Sequence, residues 1–155
     1  MRILVLSDIH GDTTSAMNAL VDQPTATTIL FLGDGIGAIE KLEQAFPNKT
    51  FYCVAGNCDF ASIEPTTRIL ELGGKRILMT HGHEYRVKFG IENAVHTAKR
   101  NQCDILLYGH THRPETHYDD GLYVLNPGSV SRSGSNTYGI IDITPQGILC
   151  NFLSL

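Results

Sequence analysis

The sequence has no uninterrupted apolar run approaching about 18 residues, which excludes a membrane-spanning helix. Its opening residues, MRILVLSDIHGD, turn acidic after one short apolar run. They lack the long hydrophobic stretch and small-residue cleavage site of a secretory signal, so the cytosol is the expected location. Cysteine is sparse. Cys53, Cys58, Cys103 and Cys150 form no C-x-x-C pair, and no disulfide framework is expected in a cytosolic chain of this size. Positive charge is also in short supply: 12 Lys and Arg against 16 Asp and Glu give a net charge of −4. That balance argues against a protein that coats nucleic acid, which would show a basic face. Internal repeats and low-complexity stretches are absent. What remains is 155 residues, 42% hydrophobic, long enough for one domain over residues 1–155 with a stable core.

One pattern recurs in that chain. A short apolar run is followed at once by a side chain able to bind a metal. Residues 2–7 lead into Asp8 and His10, and residues 28–32 lead through Gly33 into Asp34. Residues 50–55 lead through Gly56 into Asn57, and residues 76–80 into His81. Residues 104–108 lead through Gly109 into His110 and His112. Each run reads as a buried strand bounded by Gly or polar residues. Residues 13–22, 38–45 and 88–100 carry apolar side chains at helical spacing, and Pro24 and Pro47 stop the first two. Alternating strands and helices predict an α/β protein with a partly parallel sheet. From residue 115 the pattern changes. Residues 115–118, 122–125, 138–143 and 147–153 read as strands joined by turns, predicting an antiparallel portion or a second sheet. Five strands that end in candidate ligands suit the rule that α/β sites form at the carboxyl ends of strands.

In an extended segment, residues two apart share a side. Asp8 and His10 could then offer a carboxylate and an imidazole to one metal while Ile9 enters the core. His110-Thr111-His112 repeats the spacing with two imidazoles. Either triplet alone describes a polar turn after a strand equally well; the set carries more weight. Asp8, His10, Asp34, Asn57, His81, His110 and His112 give seven oxygen or nitrogen donors and no thiolate, which argues against a structural zinc finger. Four donors per ion with one shared carboxylate would serve two divalent cations, and Asp34 is the candidate bridge. Two such ions outweigh the carboxylates and leave a site suited to a phosphate-bearing anion. Two-metal sites of this kind activate water and clamp a phosphoryl group.

The ordered series D-I-H (8–10), G-D (33–34), G-N-C-D (56–59), H-G-H (81–83) and G-H-T-H (109–112) resembles the calcineurin-like metallophosphoesterase superfamily, and N-P-G-S (126–129) fits it too. The likeness runs from residue 3 to about residue 130. Its short length and G-N-C-D form resemble the small bacterial and archaeal phosphodiesterase branch. The resemblance implies a four-layer α/β/β/α sandwich with two mixed sheets. It implies two divalent metal ions, one held by Asp8, His10, Asp34 and His112, the other by Asp34, Asn57, His81 and His110. Manganese heads the candidates, with nickel, cobalt, iron or zinc as alternatives. It also implies in-line attack on phosphorus by a metal-bridging hydroxide. The substrate would be a small phosphate ester, a phosphodiester in preference. Phosphomonoesterase or nuclease activity on the same site is the first alternative, and a non-catalytic protein-binding scaffold on this fold is the second. Homo-oligomers remain open.

One position departs from the family. Where many members have a His that contacts phosphate, this chain has Cys58, a poor substitute for an imidazolium as general acid. His83, two residues from His81, is the alternative contact to the phosphate or leaving group. Asp59 reads as the cap of a following turn. His96 and His117 read as ordinary surface or packing residues. The 33–37 loop lacks the full G-x-G-x-x-G of a dinucleotide site. Asn126-Pro127-Gly128-Ser129 reads as a tight turn that shapes the site, with no base to make Ser129 a nucleophile. Arg132 reads as a solvated arginine in a mobile Ser/Gly-rich stretch.

Overall fold

Alternate residues of the first strand part into two cores. A computed structural model describes every residue from Met1 to Leu155. In β1 (Arg2–Leu6), Leu4 and Leu6 join an apolar cluster with Ala16, Ala19 and Leu20 of α1 (Thr13–Asp22) and Leu42 of α2 (Ile39–Ala45). Ile3 and Val5 face the other way and join a cluster with Ile77 and Met79 of β5 (Lys75–Thr80) and Ile105 and Leu107 of β6 (Ile105–Tyr108). On those two strands Leu78, Leu106 and Tyr108 point outward again, onto Ala94 and Ala98 of α3 (Glu92–Arg100). This strict alternation on both sheets builds four layers, α/β/β/α, with the central core between the sheets. The expected sandwich is the observed one.

The first sheet runs β10 (Gly147–Ser154), β9 (Thr137–Thr144), β1, β2 (Thr28–Phe31), β3 (Thr50–Cys53). Its β1, β2 and β3 are parallel, while β9 is antiparallel to β1 and to β10. The second sheet runs β4 (Thr67–Leu72), β5, β6, β8 (Leu122–Asn126), β7 (Glu115–Asp119). Here β5, β6 and β8 are parallel, and β4 and β7 close the edges antiparallel. The late strands are therefore divided between the two sheets rather than forming one of their own. They also include a parallel partner, since β8 follows β6 through the β7 hairpin.

Two other expectations change. The β4 strand falls in a stretch that the sequence reading left unassigned. Its signal is Gly73-Gly74, both at positive φ, between TRILEL and KRILMT; this is a two-residue hairpin turn. The third helix begins at Glu92, not residue 88, because Gly90 adopts φ +146°, backbone that a helix does not admit.

Helix α1 is fixed at both ends. Asp12 accepts hydrogen bonds from the Ser15 backbone N–H and hydroxyl at its start. Beyond its end, Lys49 Nζ donates to the carbonyls of Gln23 (3.0 Å) and Ala26 (2.7 Å), and the lysine is only 8% exposed. Burial lowers its pKa, and the two carbonyls take the place of water. Lys49→Met keeps the stem and strands both acceptors. The expected cost is about 1–3 kcal/mol, read as a fall in melting temperature with the far-ultraviolet spectrum unchanged.

Candidate metal centre

Asp8, Asp34, His81 and His110 each follow a strand of the parallel sets at its carboxyl end: β1, β2, β5 and β6. The sandwich brings these ends to one edge. Five of the seven donors have left-handed backbone: Asp8 (φ 55°), His10 (44°), Asp34 (58°), His110 (68°) and His112 (57°). The expected extended D-x-H geometry is therefore replaced by tight turns. Asp8 is fully buried and Ile9 does enter the core, but His10 reaches the site through a left-handed turn. For the same reason His110 and His112 separate, one to each half of the cluster.

In the first half, His112 Nε2 lies 3.0 Å from Asp8 Oδ1 and 3.2 Å from His10 Nε2. In the second, His81 Nε2 lies 3.1 Å from Asn57 Oδ1 and 3.1 Å from His110 Nδ1. Asp34 Oδ2 stands between them, 3.8 Å from His10 Nε2 and 3.5 Å from His81 Nε2. All seven candidate residues thus meet in one cluster.

Two observations test whether that cluster suits cations. Asp8 Oδ1 is buried and has no hydrogen-bond partner, although His112 Nε2 is close. His81 Nδ1 donates to the Leu32 carbonyl at 2.8 Å, which fixes the tautomer and leaves a lone pair on Nε2. That lone pair faces Asn57 Oδ1, a second acceptor. Acceptors aimed at shared points fit positive charge better than one another. Burial, then His81 and the Lys88 ammonium, hold His110 down to about 4, so its imidazole is neutral at pH 7. Neutral imidazoles and carboxylates are the hard-to-borderline donors of divalent cations.

Neighbouring side chains hold the donors. Asp8 Oδ2 accepts from Ser7 Oγ and from the His110 backbone N–H. Asp34 Oδ1 accepts from the Cys58 N–H at 2.8 Å. Ser129 Oγ donates to the Asp8 carbonyl, so its hydroxyl braces the loop. Asn126 Nδ2 donates to Thr111 Oγ1 at 2.9 Å and to the Gly109 carbonyl, and the Gly128 N–H donates to its Oδ1. The N-P-G-S turn shapes the site as expected.

Asp59 does more than cap its own turn. Its carboxylate accepts from the backbone N–H groups of Asp34, Gly35, Ile36 and Gly56 at 2.8–3.0 Å. Burial would raise its pKa, but the four donors together hold it below the usual carboxylate range. They also occupy three amides of the 33–37 loop, which are then unavailable to a nucleotide phosphate.

The exposed Cys58 thiol sits beside the cluster, with Asn57 Nδ2 3.4 Å from its sulfur. Asp34 first, then burial, push its pKa up, so it is a thiol and not a thiolate. The His83 ring centroid is 5.4 Å from that of His81 and 6.2 Å from that of His110, and its buried Nδ1 has no partner. Burial and His81 lower its pKa. His96 and His117 are exposed and away from the cluster. Arg132 is exposed as expected but is not free: Nε and its backbone N–H both donate to Asp12 Oδ2 at 3.0 Å. The stretch around it is organised by hydroxyl contacts, Ser131 to Ser133 and Ser135 to Thr137.

Fold and site together define a protein of the metal-dependent phosphoesterase type. Residues 1–146 match the model of the calcineurin-like phosphoesterase superfamily domain, and the chain belongs to that superfamily. It is 33% identical over 169 residues to the phosphodiesterase YfcE of Escherichia coli K12, an alignment covering 92% of this chain and 88% of that one. It is 29% identical to the probable metallophosphoesterase YsnB of Bacillus subtilis, covering 84% and 75%. Among solved structures, a predicted phosphoesterase from Streptococcus pneumoniae TIGR4 superposes with a TM-score of 0.82 at 26% identity, over 99% of this chain and 88% of that one. Vps29 of Entamoeba histolytica shares the fold, with a TM-score of 0.74 at 22% identity, over 100% and 99%. The coarse activity follows from the family: a phosphoesterase hydrolase that uses divalent metal.

Asp59→Ala leaves four backbone donors without an acceptor. The expected loss is at least about 2 kcal/mol of stability, with weaker Mn²⁺ binding by calorimetry. Asp59→Asn, which keeps one acceptor oxygen, should fall between. Parental melting temperature and parental Mn²⁺ affinity in Asp59→Ala would show that the clamp is dispensable.

Proposed function

We propose that the chain acts in the cytoplasm, as one domain over residues 1–155, as a phosphodiesterase with a dinuclear metal centre. One ion would be held by Asp8, His10, Asp34 and His112, and the other by Asp34, Asn57, His81 and His110. The observation that supports this most is Asp34 Oδ2, a single carboxylate oxygen set between nitrogens of both halves. When bound, two divalent cations lower the pKa of a shared water and draw charge from the phosphoryl oxygens. Manganese is the first metal to test, with nickel, cobalt, iron or zinc as alternatives.

The protein's own groups then have separate tasks. Asp34, fixed through Oδ1 by the Cys58 N–H, keeps Oδ2 free for the bridge. His81, fixed through Nδ1, keeps Nε2 turned inward. Asn57 adds a neutral amide at the face where an ester would enter, and its Nδ2 is able to donate to a phosphoryl oxygen. His83, close to His81 and His110, is the candidate hydrogen-bonding contact for the phosphate or leaving group. Cys58, kept protonated, can donate only weakly there, and no strong general acid faces the leaving group. Esters with good leaving groups should therefore react fastest.

The test is hydrolysis of bis(p-nitrophenyl) phosphate beside p-nitrophenyl phosphate, after chelator treatment and reloading with each metal in turn. Diester hydrolysis should return with metal and exceed monoester hydrolysis. Asp34→Asn should lose about two orders of magnitude or more in kcat. A monoester preference would keep the site but overturn the diester assignment. Absence of turnover with every metal, despite bound ions, would shift the reading to a protein-binding scaffold. Independently of turnover, Mn²⁺ should raise the melting temperature of the parent and much less that of Asp34→Asn.

A further inference from the structure

A cavity of about 580 Å³ lies beside the donor cluster, on the α3 side of the second sheet. Its volume falls within the range of small-molecule sites. Thr111, the residue between His110 and His112, lines it, so cavity and cluster share one loop. Val87 and Ile91 give it an apolar wall.

Four charged residues also line the cavity, and they are not equivalent. Glu115 accepts a hydrogen bond from the Tyr108 hydroxyl. Glu92 lies in the first turn of α3, where the helix dipole favours a carboxylate. Both acids have a structural reason to be there. The two cations, Lys88 and Arg113, have none. Arg2, Arg68, Lys75, Arg76, Lys99 and Arg132 are each paired with a carboxylate, whereas Lys88 and Arg113, like Lys41, Lys49, Arg86 and Arg100, make no ion pair. In a chain of net charge −4, two of these unpaired cations line the cavity that shares the Thr111 loop with the cluster. An anion is the complement that arrangement lacks.

We propose that this cavity is a substrate subsite: it takes the nucleoside-sized part of a phosphodiester that carries a further phosphate, with Lys88 and Arg113 binding that second phosphate. The inference rests on the phosphodiesterase reading above and names the class of ester that the site prefers. The apolar wall takes the flat, weakly polar face of the ligand, and the two cations meet its charge. Diesters without a second anionic group would use the donor cluster alone.

Calorimetric titration of the Mn²⁺-loaded protein with adenosine 3′,5′-bisphosphate and with adenosine 5′-monophosphate tests this. The bisphosphate should bind about tenfold more tightly or better, the worth of one or two charge-assisted contacts. In the Lys88→Ala/Arg113→Ala variant the two ligands should bind alike, with the parental melting temperature showing that the fold is intact. Equal binding of the two ligands by the parent, or a preference that survives in the variant, would overturn the subsite. The result is separable from the activity. Diester hydrolysis without the bisphosphate preference removes the subsite and leaves the enzyme. The preference without hydrolysis of any diester leaves the subsite and removes the phosphodiesterase.

Discussion

The loops that follow β2 and β3 approach so closely that neither can carry a side chain at its tightest point. A Cβ on Gly33 would sit 2.5 Å from the Gly56 nitrogen, and one on Gly56 would sit 2.1 Å from Asp34 Oδ1. That approach aims four backbone N–H groups at one small volume, and the Asp59 carboxylate fills it. An ionised carboxyl is costly to bury, but four donors supply what water would have supplied. Asp34 and Asn57 are carried on the two clamped loops. Their positions relative to each other therefore depend on one half-buried anion and on two missing side chains.

The same economy of backbone appears at the other strand ends. Left-handed conformation in a non-glycine residue costs about 1 kcal/mol or more, and five donors adopt it. The loops tie one another down against that cost. The Asp8 N–H donates to the Gly33 carbonyl and the His10 N–H to the Asp34 carbonyl. On the other side, the Val130 N–H donates to the Ser7 carbonyl and Ser129 Oγ to the Asp8 carbonyl. Each donor loop is thus held by a loop from a different strand. The sandwich must be complete before the donors are in place, which places the strained residues at the meeting point of elements far apart in sequence.

Layering and strand ends were legible because they depend on period and punctuation. Apolar runs of four to six residues that stop at Gly or a donor are hard to mistake for anything but buried strands. The seven clustered residues were legible for a related reason: each lies at or just past the end of such a run. The assignment of strands to sheets was not, because period-2 alternation reports a buried face but not which neighbour it meets. That is why β8 came as a parallel partner of β6. The left-handed turns were also hidden. Asp and His tolerate that backbone but do not announce it as glycine does. Asp59 was visible as a cap, yet three of its four donors lie more than twenty residues upstream. No local spacing rule reaches that far. The Asp12–Arg132 pair, 120 residues apart, was beyond reach on the same ground.

The electrostatics of the cluster explain why so many donors can share one edge of an acidic protein. Asp8 and Asp34 are fully or almost fully buried, and Asp8 Oδ1 has nothing to receive. The imidazoles around them offer lone pairs: His81 through its bond to Leu32, His110 because burial and the nearby Lys88 ammonium disfavour a proton. Multivalent cations would answer that excess of acceptors. Such a site contributes to stability chiefly when it is filled. The protein's fold and its chemistry are coupled at that point: the backbone strain that gathers the donors and the ions that would satisfy them act on the same seven residues.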